Sequence, residues 1–576
     1  MINTSPILPS PPHKIGPTWQ VHEDGTFHLP ELSLGWGVLD WWSEYINTPA
    51  GENDYATMKF LFECGRPLNA FVPTKEQARF TLWWYAIDKE GNWLYREGIL
   101  RRIKGWGKDP FAAALALAEL CGPVRFSHFD KNGEPVGKRQ HAAWVTIAAV
   151  SQDQTKNTFA LFPVMMSKKL KSEYSISPNR FIIYEEFGGR IESATSSPAS
   201  MEGNRPTFVI ENEIQWWGSG PDGKVNDGHA MHDVIEGNIT KIPSARRLAI
   251  CNAHIPGNDS VLEMLHDKWM KIEAGDAVDV GMLYDALEAP ADTPISEIPS
   301  EKVDPEGYAV GLAALMEGLL IARGDSVWLP LEEIMLSILD ISNKVTESRR
   351  KFLNQVNAAE DSWVSPNEWA RVALTDKLFA LKKGERITLG FDGSKSNDWT
   401  ALVACRVSDG CLFVIKVWDP ANYGGEIPRE DVDTVVRNTI DKYDVVGFRA
   451  DIREFEAYVD LWGQLCRKKV KVNASPNNPV AFDMRSNQKK FALDCERFYD
   501  AVVGREVFHD NNPVLRQHVL NAKIHPTIYD ANSIRKASKD SSRKIDAAVC
   551  AVLAFGCRQE YLMSKNYRTG KVTVIR

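Results

Sequence analysis

The pattern of hydrophobic and polar residues changes in character along the chain. Between residues 66 and 270, short apolar runs typical of buried strands, such as WVTIAAV from Trp144, alternate with helical stretches, such as FAAALALAEL from Phe111. This alternation favours an α/β domain built on a parallel sheet with flanking helices. Residues 1–65 mix Pro, Gly and aromatic residues without clear periodicity, and we interpret them as a partly ordered N-terminal arm.

The later part of the chain predicts a helical segment and then a second α/β domain. Residues 271–365 contain an acidic, Pro-rich stretch followed by helical runs at 308–322 and 331–355, so we predict a helical linker subdomain there. Residues 366–576 open with three strand-like runs and end in a long helical run. The pattern therefore predicts two α/β domains joined by helices.

Three aspartates stand at the ends of predicted elements in the last domain. Asp392 closes the strand-like run RITLGFD, Asp451 closes VVGFRAD, and Asp546 opens the helical run DAAVCAVLAF. They are 59 (451 − 392) and 95 (546 − 451) residues apart, so only a fold can bring them together. An RNase H-like fold does this with a three-stranded meander, a parallel strand beside its first strand, and a C-terminal helix.

Carboxylates that converge in this way suit a pair of Mg²⁺ or Mn²⁺ ions ~3.5–4 Å apart, which can cleave a phosphodiester. We therefore predict that Asp392, Asp451 and Asp546 are metal ligands and catalytic residues of a nuclease. Asp398 is either a further ligand or a loop residue, and Lys544 either contacts the scissile phosphate or is simply exposed.

A Lys- and Gly-rich segment precedes the first long helical run. Gly105 and Gly107 permit a backbone curl whose amides face an anion at the helix N-terminus, and Lys108 would reach the terminal phosphates of ATP. The usual P-loop has Gly at the position of Arg102 and a hydroxyl residue at the position of Asp109. A Gly-rich turn that only caps the helix is the alternative.

A second segment, TFVIENE from Thr207, reads as a buried strand that ends in acids. In ATPases a carboxylate at this point holds the metal ion, and the next one polarises the attacking water. Because Asn212 stands where Asp is usual, Glu213 is the predicted catalytic base, with Glu211 as the alternative. We hypothesise that Asp109 supplies the magnesium ligand that this strand lacks.

Two weaker signals complete the predicted nucleotide site. The strand-like run RRLAIC leads to Asn252, a polar residue that could report hydrolysis beside the γ-phosphate, and Gln77 could contact adenine. The predicted nucleotide-binding residues are Arg102, Lys104, Gly105, Gly107, Lys108, Asp109 and Asn252.

Composition limits these interpretations only mildly. The net charge of −8 argues weakly against a general nucleic-acid binder, so DNA contact would come from local basic patches, such as the run from Arg535 to Lys544. Part of that run, residues 537–543, lies outside the described structure. Nine scattered Cys without a zinc-like spacing indicate reduced thiols in a cytoplasmic setting. With no run of ~18 apolar residues, no membrane span is expected.

Together these motifs resemble the large terminase subunit of tailed bacteriophages. The segments KGWGKDPFAAA from Lys104, EGNRPTFVIENE from Glu202 and FDGSKSNDWTALV from Phe391 look like the forms found in phages of actinobacteria. The resemblance covers residues 66 to about 560.

This resemblance implies a DNA-packaging motor. Such proteins hydrolyse ATP to drive double-stranded viral DNA into the prohead, and their nuclease domain cuts concatemeric DNA. They dock on a portal protein as a ring, commonly of five subunits, and work with a small terminase subunit in the host cytoplasm. The resemblance also implies an arginine that completes a neighbour's ATP site, for which Arg102, Arg190 and Arg205 are candidates.

Two other classes of protein share part of this pattern. An RNase H-like recombination or transposition nuclease would have the three acids but only an accessory or decayed ATPase. A docking component with a decayed ATPase would keep the fold without the hydrolysis. Loss of ATP hydrolysis on mutation of Lys108 separates the packaging motor from both.

Overall fold

The computed structural model describes residues 5–178, 182–195, 198–218, 225–340, 342–356, 362–374, 380–395, 398–529, 531–536 and 544–564. The chain forms two compact units, Met1–Asn357 and Ala358–Arg576. Both units mix helices with sheets, so the predicted α/β class is confirmed.

The first unit contains the longer part of the chain. Its strands are β1 (Ile7–Leu8), β2 (Lys14–Ile15), β3 (Val21–His22), β4 (Glu97–Arg101), β5 (Arg125–Phe129), β6 (Pro135–Lys138), β7 (Trp144–Ala149), β8 (Ser177–Pro178), β9 (Ile182–Tyr184), β10 (Arg190–Thr195), β11 (Phe208–Asn212), β12 (Arg246–Cys251) and β13 (Met282–Leu287). Its helices are α1 (Gly35–Tyr45), α2 (Tyr55–Glu63), α3 (Lys75–Trp84), α4 (Lys108–Cys121), α5 (Gln152–Phe159), α6 (Phe162–Met165), α7 (Lys168–Glu173), α8 (Pro198–Met201), α9 (Gly228–Ile239), α10 (Val261–Glu273), α11 (Pro305–Arg323), α12 (Leu331–Leu339) and α13 (Val345–Phe352).

The main sheet of the first unit has the strand order β2-β13-β4-β12-β11-β7-β10-β9-β8 among the described residues. The strands from β13 to β10 pair in parallel, so their carboxyl ends meet at one edge of the sheet. Central strands such as β11 are buried throughout, as expected where helices cover both faces. The Ala-rich helix α4 is almost wholly buried, because Ala favours helix and its small side chain permits close packing.

The second unit is organised around a smaller sheet. Its strands are β14 (Arg386–Asp392), β15 (Thr400–Arg406), β16 (Cys411–Trp418), β17 (Asp444–Ala450), β18 (Phe508–His509), β19 (Lys523–Pro526) and β20 (Asn532–Arg535). Its helices are α14 (Pro366–Ala370), α15 (Arg429–Lys442), α16 (Glu456–Cys466), α17 (Gln488–Val503), α18 (Pro513–Asn521) and α19 (Asp546–Met563).

The sheet of the second unit has the order β17-β14-β15-β16-β18. Strands β14, β15 and β16 form an antiparallel meander, and β17 runs parallel to β14 on its other side. Helix α19 packs on β14 at Gly390, where a Cβ atom would lie 2.0 Å from the carbonyl oxygen of Cys550. The missing side chain therefore lets the helix approach the strand.

Three predicted boundaries do not coincide with this division into two units. The segment 1–65, predicted as a partly ordered arm, is part of the first unit, because β2 pairs with β13 and Trp42 is buried in the core. Strand β13 pairs with β4 in the main sheet, although its residues fall in the predicted linker 271–365. Trp363, also in that range, belongs to the core of the second unit. The functional division into four parts stays a prediction.

Helices α11–α13 of the predicted linker belong to the first unit, where Leu315 and Leu319 are part of its core. By length and composition alone, α11 is apolar enough to cross a membrane. A single helix with this property is weak evidence for a membrane span, since core helices of other proteins share it.

Candidate functional sites

The predicted phosphate loop lies between β4 and α4, at the carboxyl edge of the main sheet. Gly105 and Gly107 have φ angles of 87° and 93°, in the left-handed region that favours glycine. A Cβ atom at Gly105 would also lie 2.5 Å from the side chain of Leu329. Both glycines are therefore required by the backbone path of the loop.

Lys108 is the first residue of α4 and points back into the loop. Its Nζ donates to the carbonyl oxygens of Arg102, at 3.3 Å, and Ile103, at 3.0 Å. Burial lowers the pKa of Lys108, and the charge of Glu213 opposes that shift. The fold thus brings Lys108 and Glu213 into one electrostatic environment, as the sequence predicted for residues of one site.

Asp109 lies beside the carboxyl end of β11. Its Oδ1 accepts a hydrogen bond from Thr158 Oγ1 at 2.9 Å and a long one from Asn212 Nδ2 at 3.5 Å. Asp109, which replaces the usual hydroxyl residue of the loop, therefore lies beside Asn212, which replaces the usual Asp of the strand.

The two glutamates at the end of β11 have different surroundings. Glu213 follows the strand in a left-handed conformation with φ 56°, and its carboxylate accepts a hydrogen bond from Gln215. Glu211 is fully buried and pairs with His232 at 3.0 Å and Arg247 at 3.4 Å. Burial alone would raise the pKa of Glu211, but His232 and Arg247 outweigh it and lower that pKa. Glu211 is thus engaged in a buried ion cluster, and Glu213 is the better candidate base.

Arg102 has a structural role that the sequence did not predict. Its buried guanidinium pairs with Asp285 and lies 3.7 Å from Glu76. Its carbonyl oxygen accepts a hydrogen bond from Asn252 Nδ2 at 2.7 Å, which ties the end of β12 to the loop. Burial and ion pairing therefore hold the Arg102 side chain within its own unit.

The other two candidates for the arginine that completes a neighbour's ATP site are Arg190, which is half-buried, and Arg205. Arg190 Nε donates to Glu192 at 3.0 Å, and its guanidinium lies over the ring of Trp144. Arg205 is exposed.

The phosphate loop also has contacts from the helical segment that follows the sheet. Trp328 Nε1 donates to the carbonyl oxygen of Gly105 at 2.9 Å, and Ser326 Oγ to that of Trp106 at 3.2 Å. The amide of Lys104 donates to the carbonyl oxygen of Lys351 at 2.8 Å. Sequence reasoning missed these contacts, because no motif marks a residue more than 200 positions away as a partner of the loop.

In the second unit, strand pairing places two of the three predicted acids side by side. Asp392 is the last residue of β14, and Phe391 pairs with Ala450 on the parallel strand β17. The amide of Asp451 donates to the carbonyl oxygen of Phe391 at 3.0 Å. Asp392 and Asp451 therefore leave neighbouring strands at the same edge of the sheet.

Helix α19 brings the third acid to that edge. Cys550, one turn after Asp546, donates its thiol hydrogen to the carbonyl oxygen of Ala401 at 3.1 Å. Ala401 is the residue of β15 that pairs with Asp392. The first turn of α19 therefore lies over the end of β14.

All three acids are held in surroundings that disfavour their ionised forms. Burial and the charges of Asp546, Asp451 and Asp398 raise the pKa of Asp392 well above its usual value. Burial raises the pKa of Asp546 to about 6 and also raises the pKa of Asp451. Buried carboxyl groups that disfavour each other's ionised forms are the arrangement that a bound cation stabilises.

The donor set fits a divalent ion, although the acids are not drawn together into a finished coordination sphere. Asp546 Oδ2 is buried and accepts no hydrogen bond from the described residues, which is costly for a carboxylate oxygen unless a cation binds it. Among the side chains that the structure describes, no three His, Cys, Asp or Glu residues already form a metal-binding cluster. The strand register places Asp392 beside Asp451, and like charges without a cation hold carboxylates apart.

Two lysines flank this edge of the sheet. Lys536 and Lys544 both donate to Asp398 Oδ1, Lys544 at 3.0 Å. Asp398 is therefore ion-paired in this structure, and Lys544, which the sequence left as either a phosphate contact or an exposed residue, is engaged with it.

Comparisons with known proteins give clear relatives among phages. The chain is 68% identical over 584 residues to the Gene 13 protein of Mycobacterium phage L5, an alignment that covers 99% of this chain and 98% of that protein. It is 66% identical over 586 residues to the Gene 13 protein of Mycobacterium phage D29, with the same coverage of both chains. No protein-family model matches.

Among solved structures, the chain is similar to the large terminase of bacteriophage HK97. The TM-score is 0.43 and the sequence identity 16%, over 91% of this chain and 100% of that chain. The sequence predicted a resemblance to proteins of actinobacterial phages, and the mycobacteriophage relatives confirm it. With two thirds of its residues identical to theirs over nearly its full length, the chain belongs to the family of the mycobacteriophage Gene 13 proteins.

Proposed function

We propose that this protein is the large subunit of a phage terminase. It would use ATP hydrolysis to package double-stranded viral DNA into the prohead and a metal-dependent endonuclease to cut concatemeric DNA. The main support is that two candidate sites occur in one chain of a phage protein family. The first unit has a glycine loop that encloses Lys108, and the second unit has three acids at one edge of its sheet.

In the ATPase half, each predicted residue has a task that its contacts support. Lys108 would exchange its bonds to the loop carbonyls for the terminal phosphates, while the loop amides and the N-terminus of α4 face the same anion. Glu213 would accept a proton from, or orient, the attacking water. Asn252, bonded to the carbonyl oxygen of Arg102, would transmit loss of the γ-phosphate to the loop.

In the nuclease half, Asp392, Asp451 and Asp546 would hold the metal ions. Two bound ions would activate water and stabilise the leaving oxygen of an in-line displacement. The chain contributes the ligands, their burial and the rigid edge from which they project. Lys536 and Lys544 place positive charge beside this edge, where a DNA phosphate would approach.

Partners and location follow from the proposal. The substrate is double-stranded DNA, and the protein would dock on a portal protein as a ring, commonly of five subunits, with a small terminase subunit. It would act in the host cytoplasm and at the prohead, without entering the mature virion. Arg190 and Arg205 are the candidates that remain for the arginine acting on a neighbour's ATP.

Cleavage of plasmid DNA by the purified protein, followed against metal concentration, tests the nuclease half of the proposal. We expect nicking and linearisation with Mg²⁺ or Mn²⁺ and none after addition of EDTA, because in the proposed mechanism the metal ions activate the water and stabilise the leaving oxygen. Restoration by excess Mn²⁺ controls for denaturation by the chelator. Cleavage that persists in EDTA would contradict the metal-dependent mechanism.

The pairing of Asp109 with Asn212 makes a separate prediction for the ATPase. In Asp109→Ser, ATP hydrolysis should fall by at least about tenfold, because the site loses the carboxylate proposed to hold magnesium. The double variant Asp109→Ser, Asn212→Asp should recover much of the activity, since it moves the carboxylate back to the strand. Asp153→Ser, an exposed acid on α5, is the matched control. Full ATPase activity in Asp109→Ser alone would refute the hypothesis that Asp109 supplies the magnesium ligand missing at Asn212.

One observation favours a second candidate function, an RNase H-like recombination or transposition nuclease with a decayed ATPase. The loop has Arg102 and Asp109 where a P-loop has glycine and a hydroxyl residue, and Lys108 is bonded to the loop's own carbonyls. DNA-stimulated ATP hydrolysis by the purified protein would decide against this second candidate.

A further inference from the structure

The helix α18 holds the turn that carries Asp546 from both sides. Asn521 Nδ2 donates to the carbonyl oxygen of Lys544 at 3.0 Å. His518 Nδ1 accepts the amide hydrogen of Ala547 at 3.0 Å. Asp546 therefore lies within a four-residue stretch that one helix fixes at both ends.

The two side chains that make these bonds form one buried face. His518 and Asn521 stand three residues apart on α18 and are 2% and 8% exposed. An amide that donates to Nδ1 requires a lone pair there, so the ring is neutral with its hydrogen on Nε2. Burial, together with the charges of Lys536 and Lys544, lowers the pKa of His518 to about 3, which agrees with a neutral ring.

Helix α19 needs such a contact because its own sequence does not provide one. The first amides of a helix have no partner within the helix and are commonly satisfied by the side chain at the N-cap. In α19 the N-cap is Ile545, which makes no side-chain hydrogen bond. His518 supplies the missing acceptor from another helix. Its ring also lies 5.1 Å from the ring of Trp399, the residue after Asp398.

We propose that His518 and Asn521 are positioning residues of the candidate metal centre, which fix the turn that presents Asp546 to a divalent cation. Neither residue contacts the ion or the DNA; both act through the backbone on either side of Asp546. The inference rests on the proposed nuclease function, because it takes Asp546 as a metal ligand.

The test compares His518→Leu with His518→Asn in the full chain. Leu removes the acceptor, whereas Asn keeps an oxygen near the position of Nδ1. Mn²⁺ affinity is measured by titration calorimetry, and the Mn²⁺ concentration that gives half-maximal plasmid cleavage is measured in parallel. We expect His518→Leu to weaken Mn²⁺ binding on the order of 10–100-fold, the usual effect of losing an outer-sphere partner, and His518→Asn to keep most of it. Asn521→Leu should weaken binding in the same direction.

His509 offers a matched control in the same unit. It is buried, its Nδ1 accepts the amide hydrogen of Asn511 at 3.1 Å, and its ring stacks on Trp369. His509→Leu should leave Mn²⁺ affinity unchanged, and melting temperatures without metal show whether each variant folds.

Three outcomes would count against the inference. Mn²⁺ affinity in a folded His518→Leu equal to that of the unmodified protein would overturn it, while the proposed nuclease function would stand. Equal losses in His518→Leu and His518→Asn would overturn it too. If His518→Leu does not fold, Asn521→Leu takes its place, and unchanged Mn²⁺ affinity in Asn521→Leu refutes the inference. No Mn²⁺ binding by the unmodified protein would refute the nuclease function itself.

Discussion

Replacing Asp392 with Asn is expected to lower the rate of metal-dependent DNA cleavage by more than about 100-fold and to leave the rate of ATP hydrolysis unchanged. Losing an outer-sphere partner of a metal already costs 10–100-fold, and a direct ligand should cost more. Asp392 lies at the end of β14, and burial together with the charges of Asp546 and Asp451 raises its pKa. Asn keeps the shape of the side chain and removes a buried charge, so the fold should tolerate it. Plasmid cleavage in Mg²⁺ and Mn²⁺, with ATPase assays on the same samples, makes the measurement.

Asp409 is a matched control for that variant. It lies in the same unit, in the turn between β15 and β16, and its carboxylate pairs with Arg406 at 2.8 Å. Asp409→Asn should cleave DNA at the rate of the unmodified protein. Cleavage by Asp392→Asn at that same rate would show that the nuclease site lies elsewhere.

Lys108→Ala is expected to lower the rate of ATP hydrolysis by about 10²–10³-fold, while metal-dependent nicking of DNA continues. Removing one preorganised donor to charge that develops in a transition state typically costs this much in turnover. Lys108 is buried at the start of α4, and its Nζ already lies within the loop that would hold the phosphates. Hydrolysis of ATP with and without double-stranded DNA, on protein whose folding is checked by its melting temperature, measures the effect.

Lys131→Ala provides the comparison for Lys108, because Lys131 is an exposed lysine in the turn between β5 and β6 of the same unit. It should hydrolyse ATP normally. If Lys108→Ala hydrolyses ATP as fast as Lys131→Ala, the loop is only a helix cap, and the nuclease with a decayed ATPase becomes the better account.

The elements that position both sites could be predicted because their signals are local. The apolar run before Asp392, the Ala-rich helix after Lys108 and the glycines of the loop each determine a conformation from a few neighbouring residues. The order of the elements predicts that Asp392 and Asp451 leave neighbouring strands together, since parallel neighbouring strands end at a common edge. That Asp546 joins them around a metal pair stays a prediction.

What could not be predicted depends on partners distant in sequence. Strand β13 lies in the range predicted as linker, because the acidic, Pro-rich stretch that favours a linker begins at Ala286, within the strand. Its Asp285 is fully buried against Arg102, a partner that no local pattern indicates. The ion pair of Arg102 could not be predicted for the same reason, because its partner lies 183 residues away. The hydrogen bond from Trp328 to Gly105, and the one that His518 accepts from the first turn of α19, likewise have no local motif.

The central claim, that three distant acids hold a pair of cations, is tested most directly by a crystal structure of the full chain grown with Mn²⁺, using the anomalous signal of manganese. We predict two anomalous peaks about 3.5–4 Å apart, bonded between them to carboxylate oxygens of Asp392, Asp451 and Asp546. Peaks that contact only one of these residues, or no peak at the end of β14 at saturating Mn²⁺, would contradict it.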